Sequence, residues 1–239
     1  MAVNRIEDRL GSRGVSNARR VLPYFTAGFP DVATTAELVR RADAMGAAVV
    51  EIGFPYSDSI ADGPVIQESF NYVLGRSHTL NDTFDLVAGV RGSVACGLIA
   101  MVSYSIVHRV GLDRFMQRAA AVGFDGVILP DVPLEEASPT ALAAKSANLC
   151  HIGLVAPTTC DARREAIVRS SSGFIYRIAV SGTTGERSSL PDEVAQEVAQ
   201  LKRTSDIPVC VGFGISRPEH VRAVCRVADG AIVGSALIR

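Results

Sequence analysis

Residues 47–67 read AAVVEIGFPYSDSIADGPVIQ. The apolar run 49–54 has the length and β-branched content of a strand, and it carries one carboxylate, Glu51, towards its far end. A loop of Gly, Pro and Ser follows, holding Asp58 and Asp62, and an Ala-Asp-Gly-Pro turn opens a helix over 65–74. Two acids, Glu51 and Asp62, thus share one strand end and its loop. Chains that alternate strand and helix place acid/base chemistry there.

Working outward, the same strand-then-helix unit recurs. Apolar runs at 21–28, 96–102, 125–129, 150–155, 173–180, 208–211 and 231–233 read as further strands. Helical spacing covers 5–10, 34–45, 80–90, 112–122, 134–147, 162–169, 192–202 and 218–227. Strands that are apolar almost throughout suit parallel pairing buried on both faces. Eight such units in 239 residues predict an α/β protein, a (β/α)8 TIM barrel forming a single domain over 1–239. A doubly wound sheet would carry Gly-x-Gly-x-x-Gly after its first strand; Thr-Ala-Gly-Phe-Pro stands there instead.

Bulk properties narrow the function. With 48% hydrophobic and 21% charged residues the chain can bury a full core, and a net charge of −1 offers no attraction to nucleic acid or anionic lipid. No apolar run approaches the roughly 20 residues a membrane span needs, and the first ten residues lack a secretory signal's apolar core. The five cysteines, Cys96, Cys150, Cys160, Cys210 and Cys225, include no Cys-x-x-Cys pair. They read as small apolar fillers in a reducing compartment, which makes the expected location cytoplasmic. The four histidines have no metal-ligand spacing, so no metal is expected.

Three groups of residues could carry chemistry. Glu51 is either a strand-end acid paired with a neighbour or a partly desolvated proton carrier at a barrel mouth. Asp58 and Asp62 either cap backbone N–H groups or pair with Glu51 in a site of two unlike acids. Val-Gly-Phe-Gly-Ile-Ser (211–216) and the stretch around Gly234 and Ser235 follow strands seven and eight. Glycines there either make tight turns or admit an anion to backbone N–H groups, a recurrent phosphate site in barrels. The loop 181–191, with Thr184 and Gly185, is a connector or a lid. Tyr176 offers a hydroxyl, while Phe25, Ala100, Leu129 and Phe213 line an apolar pocket or simply pack the core.

PYFTAGFP (23–30), VEIGFPYSDSIADGP (50–64), DGVILPDVPLEE (125–136), FIY (174–176), TTGERSSLP (183–191), VGFGIS (211–216) and IVGSA (232–236) occur in this order. Together they resemble the tryptophan synthase alpha subunit family, over about residues 5–238. The resemblance implies a lyase of tryptophan biosynthesis that splits indole-3-glycerol phosphate into indole and glyceraldehyde 3-phosphate. It implies Glu51 as acid/base and Asp62 as partner of the indole N–H. Phe25, Ala100, Leu129, Tyr176, Thr184 and Phe213 would contact substrate, and Gly185, Gly214, Gly234 and Ser235 would hold phosphate. It implies no cofactor in this chain. A beta subunit carrying pyridoxal phosphate would be the partner in an αββα complex, met by residues 54–62 and the following helix.

Some residues depart from the family pattern. Tyr56, Ser59, Ser103 and Ser105 differ in segments expected to face the partner, and Arg177 puts a charge inside a strand beside Ala179. The chain also stops at Arg239, before the barrel's expected last helix. Those departures keep two alternatives: a stand-alone lyase releasing free indole, and a catalytically weak regulatory partner of a beta subunit. Another phosphate-binding barrel, such as a sugar-phosphate isomerase, would share the fold but not the Glu51/Asp62 block.

Overall fold

The computed structural model describes residues 3–11, 20–59, 62–132, 134–178, 192–212 and 214–239. Its strands are β1 (Val21–Thr26), β2 (Val49–Gly53), β3 (Gly97–Met101), β4 (Gly126–Ile128), β5 (Cys150–Val155), β6 (Ile175–Ile178), β7 (Val209–Gly212) and β8 (Gly230–Val233). All pairings are parallel and β8 returns to β1, so the predicted barrel closes. The helices are α1 (Arg5–Leu10), α2 (Val32–Ala44), α3 (Pro64–Leu74), α4 (Leu80–Arg91), α5 (Tyr104–Val110), α6 (Leu112–Val122), α7 (Leu134–Ser146), α8 (Asp161–Ser170), α9 (Asp192–Thr204), α10 (Pro218–Val224) and α11 (Ser235–Ile238). None of these helices is long and apolar enough to cross a membrane.

Two of these helices were not expected. Ser103 caps α5 by accepting from Ser105 N, and Gly111, at φ +95°, separates it from α6. After β8 the chain makes the four-residue α11, which packs on β1 and α3.

Successive side chains of each strand face opposite ways. One set fills the lumen: Leu22, Val49, Ile99, Ile128, Cys150, Ile152, Phe174, Cys210 and Ile232, with Ile6 and Leu10 of α1. Ile6 is a plug at the bottom. A Cβ on Gly97 or Gly126 would come within 2.8 Å of it, and one on Gly173 within 3.1 Å, so glycine at these three positions makes room for it. Asp125 locks the same end, accepting from Arg5 at 2.9 Å, Arg91 at 3.0 Å and Leu98 N at 2.9 Å. The other set packs against helices. Phe25, Ile52, Ala100 and Leu129 lie on that outer face, in a cluster with Phe54, Phe84, Phe115 and Phe124.

Of the cysteines, Cys96, Cys150 and Cys210 are buried as expected and Cys225 is half-buried. Cys160 is exposed and fills no gap, because it sits at the residue just before α8 rather than on a strand.

Arg177 also gains an account. It is 2% exposed and faces outward from β6, where it pairs with Glu197 of α9 and donates to the Ile178 carbonyl. Around it lie Val155, Ile175, Val194 and Val198. A buried guanidinium left without its acid is strongly destabilising, whereas apolar replacement of both partners is tolerated. Glu197→Gln should therefore lower the unfolding free energy by about 3 kcal/mol, measured by urea denaturation. Adding Arg177→Leu to Glu197→Leu should recover most of that loss; equal effects of the single and double changes would show that the pair is not coupled.

Candidate active site

Glu51 occupies the middle of β2, in register with Tyr24 of β1 and Ile99 of β3. Because Val49 faces the lumen, so does Glu51 two residues later. It is 1% exposed, and neither carboxylate oxygen has a hydrogen-bond partner among the described residues. Burial alone pushes its carboxyl up to about 8. The reading of Glu51 as a paired strand-end acid is not what the structure shows.

Two phenols flank it. Tyr24 lies over Gly53 and Tyr176 over Gly212, and a methyl group at either glycine would collide with the phenolic oxygen. Both phenols are pushed well above their ordinary range, first by burial and then by the charges of Asp62 and Glu51. Both hydroxyls are thus kept neutral within reach of the carboxyl's field.

Asp62 stands in the loop above, half-buried. Burial, with the Asp131 carboxylate adding to it, pushes Asp62 up to about 6. The loop is pinned from α3, whose Gln67 Nε2 donates to the carbonyls of Ser59 at 2.9 Å and Asp62 at 3.0 Å. Asp58 is exposed at the rim. A solvent-open cleft of about 430 Å3 lies over these strand ends, lined by Tyr24, Phe54, Tyr56, Asp58, Ser59, Asp62, Phe70, Met101, Val102, Ser103, Pro130 and Asp131.

The phosphate candidates lie beyond β7 and β8. Gly214 has φ +67° and is exposed. Gly234 precedes α11, and Ser235 is that helix's first residue. A Cβ on Gly234 would lie 3.6 Å from the Tyr24 ring, so this turn borders the same lumen wall. Thr184, Gly185 and Phe213 lie outside the described residues.

Three expected pocket residues are misplaced. Phe25, Ala100 and Leu129 point into the helix-packed wall, at 6%, 0% and 2% exposure. One position away, Tyr24, Ile99 with Met101, and Ile128 face the lumen. A strand buried on both faces shows no polar alternation, so its apolar run leaves the phase open. Gly97 and Gly126, which face Ile6, carried the missing signal: counting by twos from them reaches Ile99, Met101 and Ile128. Among the described residues no cluster of His, Cys, Asp or Glu could hold a metal ion.

The family model for the tryptophan synthase alpha chain matches residues 13–239. The chain belongs to that family. The tryptophan synthase alpha chain of Caulobacter sp. strain K31 is 42% identical over 239 residues, covering all of this chain and 87% of that one. The alpha chain crystal structure from Legionella pneumophila aligns with a TM-score of 0.88 at 34% identity, over 99% of this chain and 87% of that one. A chain from the tryptophan synthase a2b2 complex of Pyrococcus furiosus aligns with a TM-score of 0.86 at 34% identity, over 92% and 89%. The tryptophan synthase alpha family cleaves indole-3-glycerol phosphate, and this chain is a lyase of that reaction in tryptophan biosynthesis.

The buried Glu51 has a consequence for stability. Unfolded, its carboxyl titrates near 4.5; folded, near 8. Between those values the folded chain binds the extra proton, so stability falls as pH rises and the loss is complete above pH 8. Glu51→Gln removes the ionisable group, so its stability relative to wild type should rise by about 4 kcal/mol from pH 5 to pH 9. Urea denaturation at both pH values checks this; a constant difference would show Glu51 to be solvated.

Proposed function

We propose that Glu51 carries both protons of the cleavage and that Asp62 holds the indole. The observation that supports this most directly is the pair of unlike acids in one cleft, with Glu51 raised to about 8 and Asp62 to about 6. Near neutral pH the first is protonated and the second ionised, which separates an acid from a charge stabiliser. Protonated Glu51 gives its proton to indole C3, leaving a cationic ring. The Asp62 carboxylate accepts from the indole N–H and stabilises that cation. Glu51, now a carboxylate, takes the proton of the hydroxyl on the carbon attached to C3. The carbon–carbon bond breaks, its electrons restore the aromatic ring, and the hydroxyl carbon becomes the aldehyde of glyceraldehyde 3-phosphate.

The Gly214 and Gly234–Ser235 turns, with Gly185, would hold phosphate through backbone N–H groups, and Tyr176 and Thr184 would orient the chain between the ends. Proton transfers and charge stabilisation suffice for this cleavage, so the reading assigns this chain no cofactor. Pyridoxal phosphate belongs to the partner beta subunit, in an αββα assembly met by residues 54–62 and α3. A protein with free cysteines and this metabolic role fits the cytoplasm.

The deciding experiment measures indole release from indole-3-glycerol phosphate with and without a beta subunit; release that rises with the partner supports the whole reading. Glu51→Gln should cut release at least a thousandfold while leaving the affinity for indole-3-propyl phosphate within a few-fold. Retained turnover would remove Glu51 from the mechanism. Gly234→Asp, which adds a negative charge and bulk beside the phosphate, should weaken binding of the same analogue at least tenfold.

A further inference from the structure

Besides the two oxygens of Glu51, one other polar atom of the lumen is buried without a hydrogen-bond partner among the described residues, the Tyr24 hydroxyl. The reaction accounts for Glu51 but leaves this hydroxyl unused. Tyr24 is 4% exposed, and a buried hydroxyl with no partner costs stability unless something else bonds it. Thr26 Oγ1 is close enough to favour the phenolate slightly, yet lies outside hydrogen-bond geometry with Tyr24. Its own proton is drawn away, because Thr26 bonds Ser69 at 2.7 Å and Ser69 donates to the Ile66 carbonyl at 2.7 Å.

The position of Tyr24 suggests what completes it. Its ring borders Gly234 at the phosphate end, its hydroxyl lies over Gly53, and it lines the cleft together with Asp62 at the ring end. Glu51 is its register partner on the neighbouring strand. Between the phosphate and the indole, the substrate has a three-carbon chain with two hydroxyls. One of them reacts, and Glu51 takes its proton. We propose that Tyr24 hydrogen-bonds the other hydroxyl, the one the cleavage leaves intact, and so selects a substrate with a polyol chain. The phenol, kept neutral by its burial, can donate or accept there. A site built to bond a hydroxyl discriminates against analogues that lack it, since its own polar group is then left unpaired.

This rests on the assignment of Glu51, Asp62 and Gly234 to the substrate, which loss of indole-3-propyl phosphate binding in Gly234→Asp tests separately. Tyr24→Phe keeps the ring and removes only the hydroxyl. Three measurements are needed: kcat/KM for indole-3-glycerol phosphate, kcat/KM for its analogue lacking the intact hydroxyl, and affinity for indole-3-propyl phosphate, which lacks both. Tyr24→Phe should lower the first about tenfold. On the other two, wild type and variant should agree within twofold. An unchanged kcat/KM for the full substrate, or an equal loss on all three ligands, would overturn the proposal.

Discussion

Glu51 keeps its proton because the strands around it close on themselves. In an open sheet, water entering at an edge would solvate a carboxylate at this depth. Here β8 pairs with β1, Ile6 and Leu10 stop the lower end, and Asp125 ties α1 to α4 and β3. Lumen glycines let large groups approach closely, with Ile6 against Gly97 and Gly126, Tyr24 over Gly53, and Tyr176 over Gly212. A carboxyl enclosed in this way, with no cation beside it among the described residues, is driven to its neutral form. The closed wall therefore sets the chemistry of the site as well as the stability of the fold.

Strand–helix alternation made the barrel legible, and the acids were legible because a charge within an apolar run stands out. Glu51 even carries the phase of its own strand, since a carboxyl inside a barrel belongs in the lumen. On β1, β3 and β4 no residue did that openly, and choosing Phe25, Ala100 and Leu129 put three side chains on the wrong face. A one-residue slip has that effect in any strand buried on both sides. The two helix-layer clusters, one against β1–β4 and another against β5–β8, are as apolar as the lumen, so composition could not separate inside from outside.

Arg177 shows a different limit. Its charge was visible in the sequence, but its partner lies 20 residues on in α9, and only packing brings Glu197 to it. Similarly, α1 reads as an ordinary leading helix until Gly97 of β3, Gly126 of β4 and Gly173 ahead of β6 are seen to meet Ile6. Such features depend on contacts between distant segments, which local pattern does not encode.

Helix α3 is joined to both ends of the cleft. At its start, Gln67 fastens the carbonyls of Ser59 and Asp62. Along its length, Ile66 and Phe70 pack with Tyr24 and with Ile238 of α11, the helix that Gly234 opens. Its 11 residues form a strut between the acid-bearing loop and the turn at Gly234. A subunit that gripped this strut and slid it along its axis would shift both anchors together. Their mutual spacing would stay fixed by the strut's length, while their position relative to Glu51 on β2 would come under the control of a neighbour that never touches the lumen.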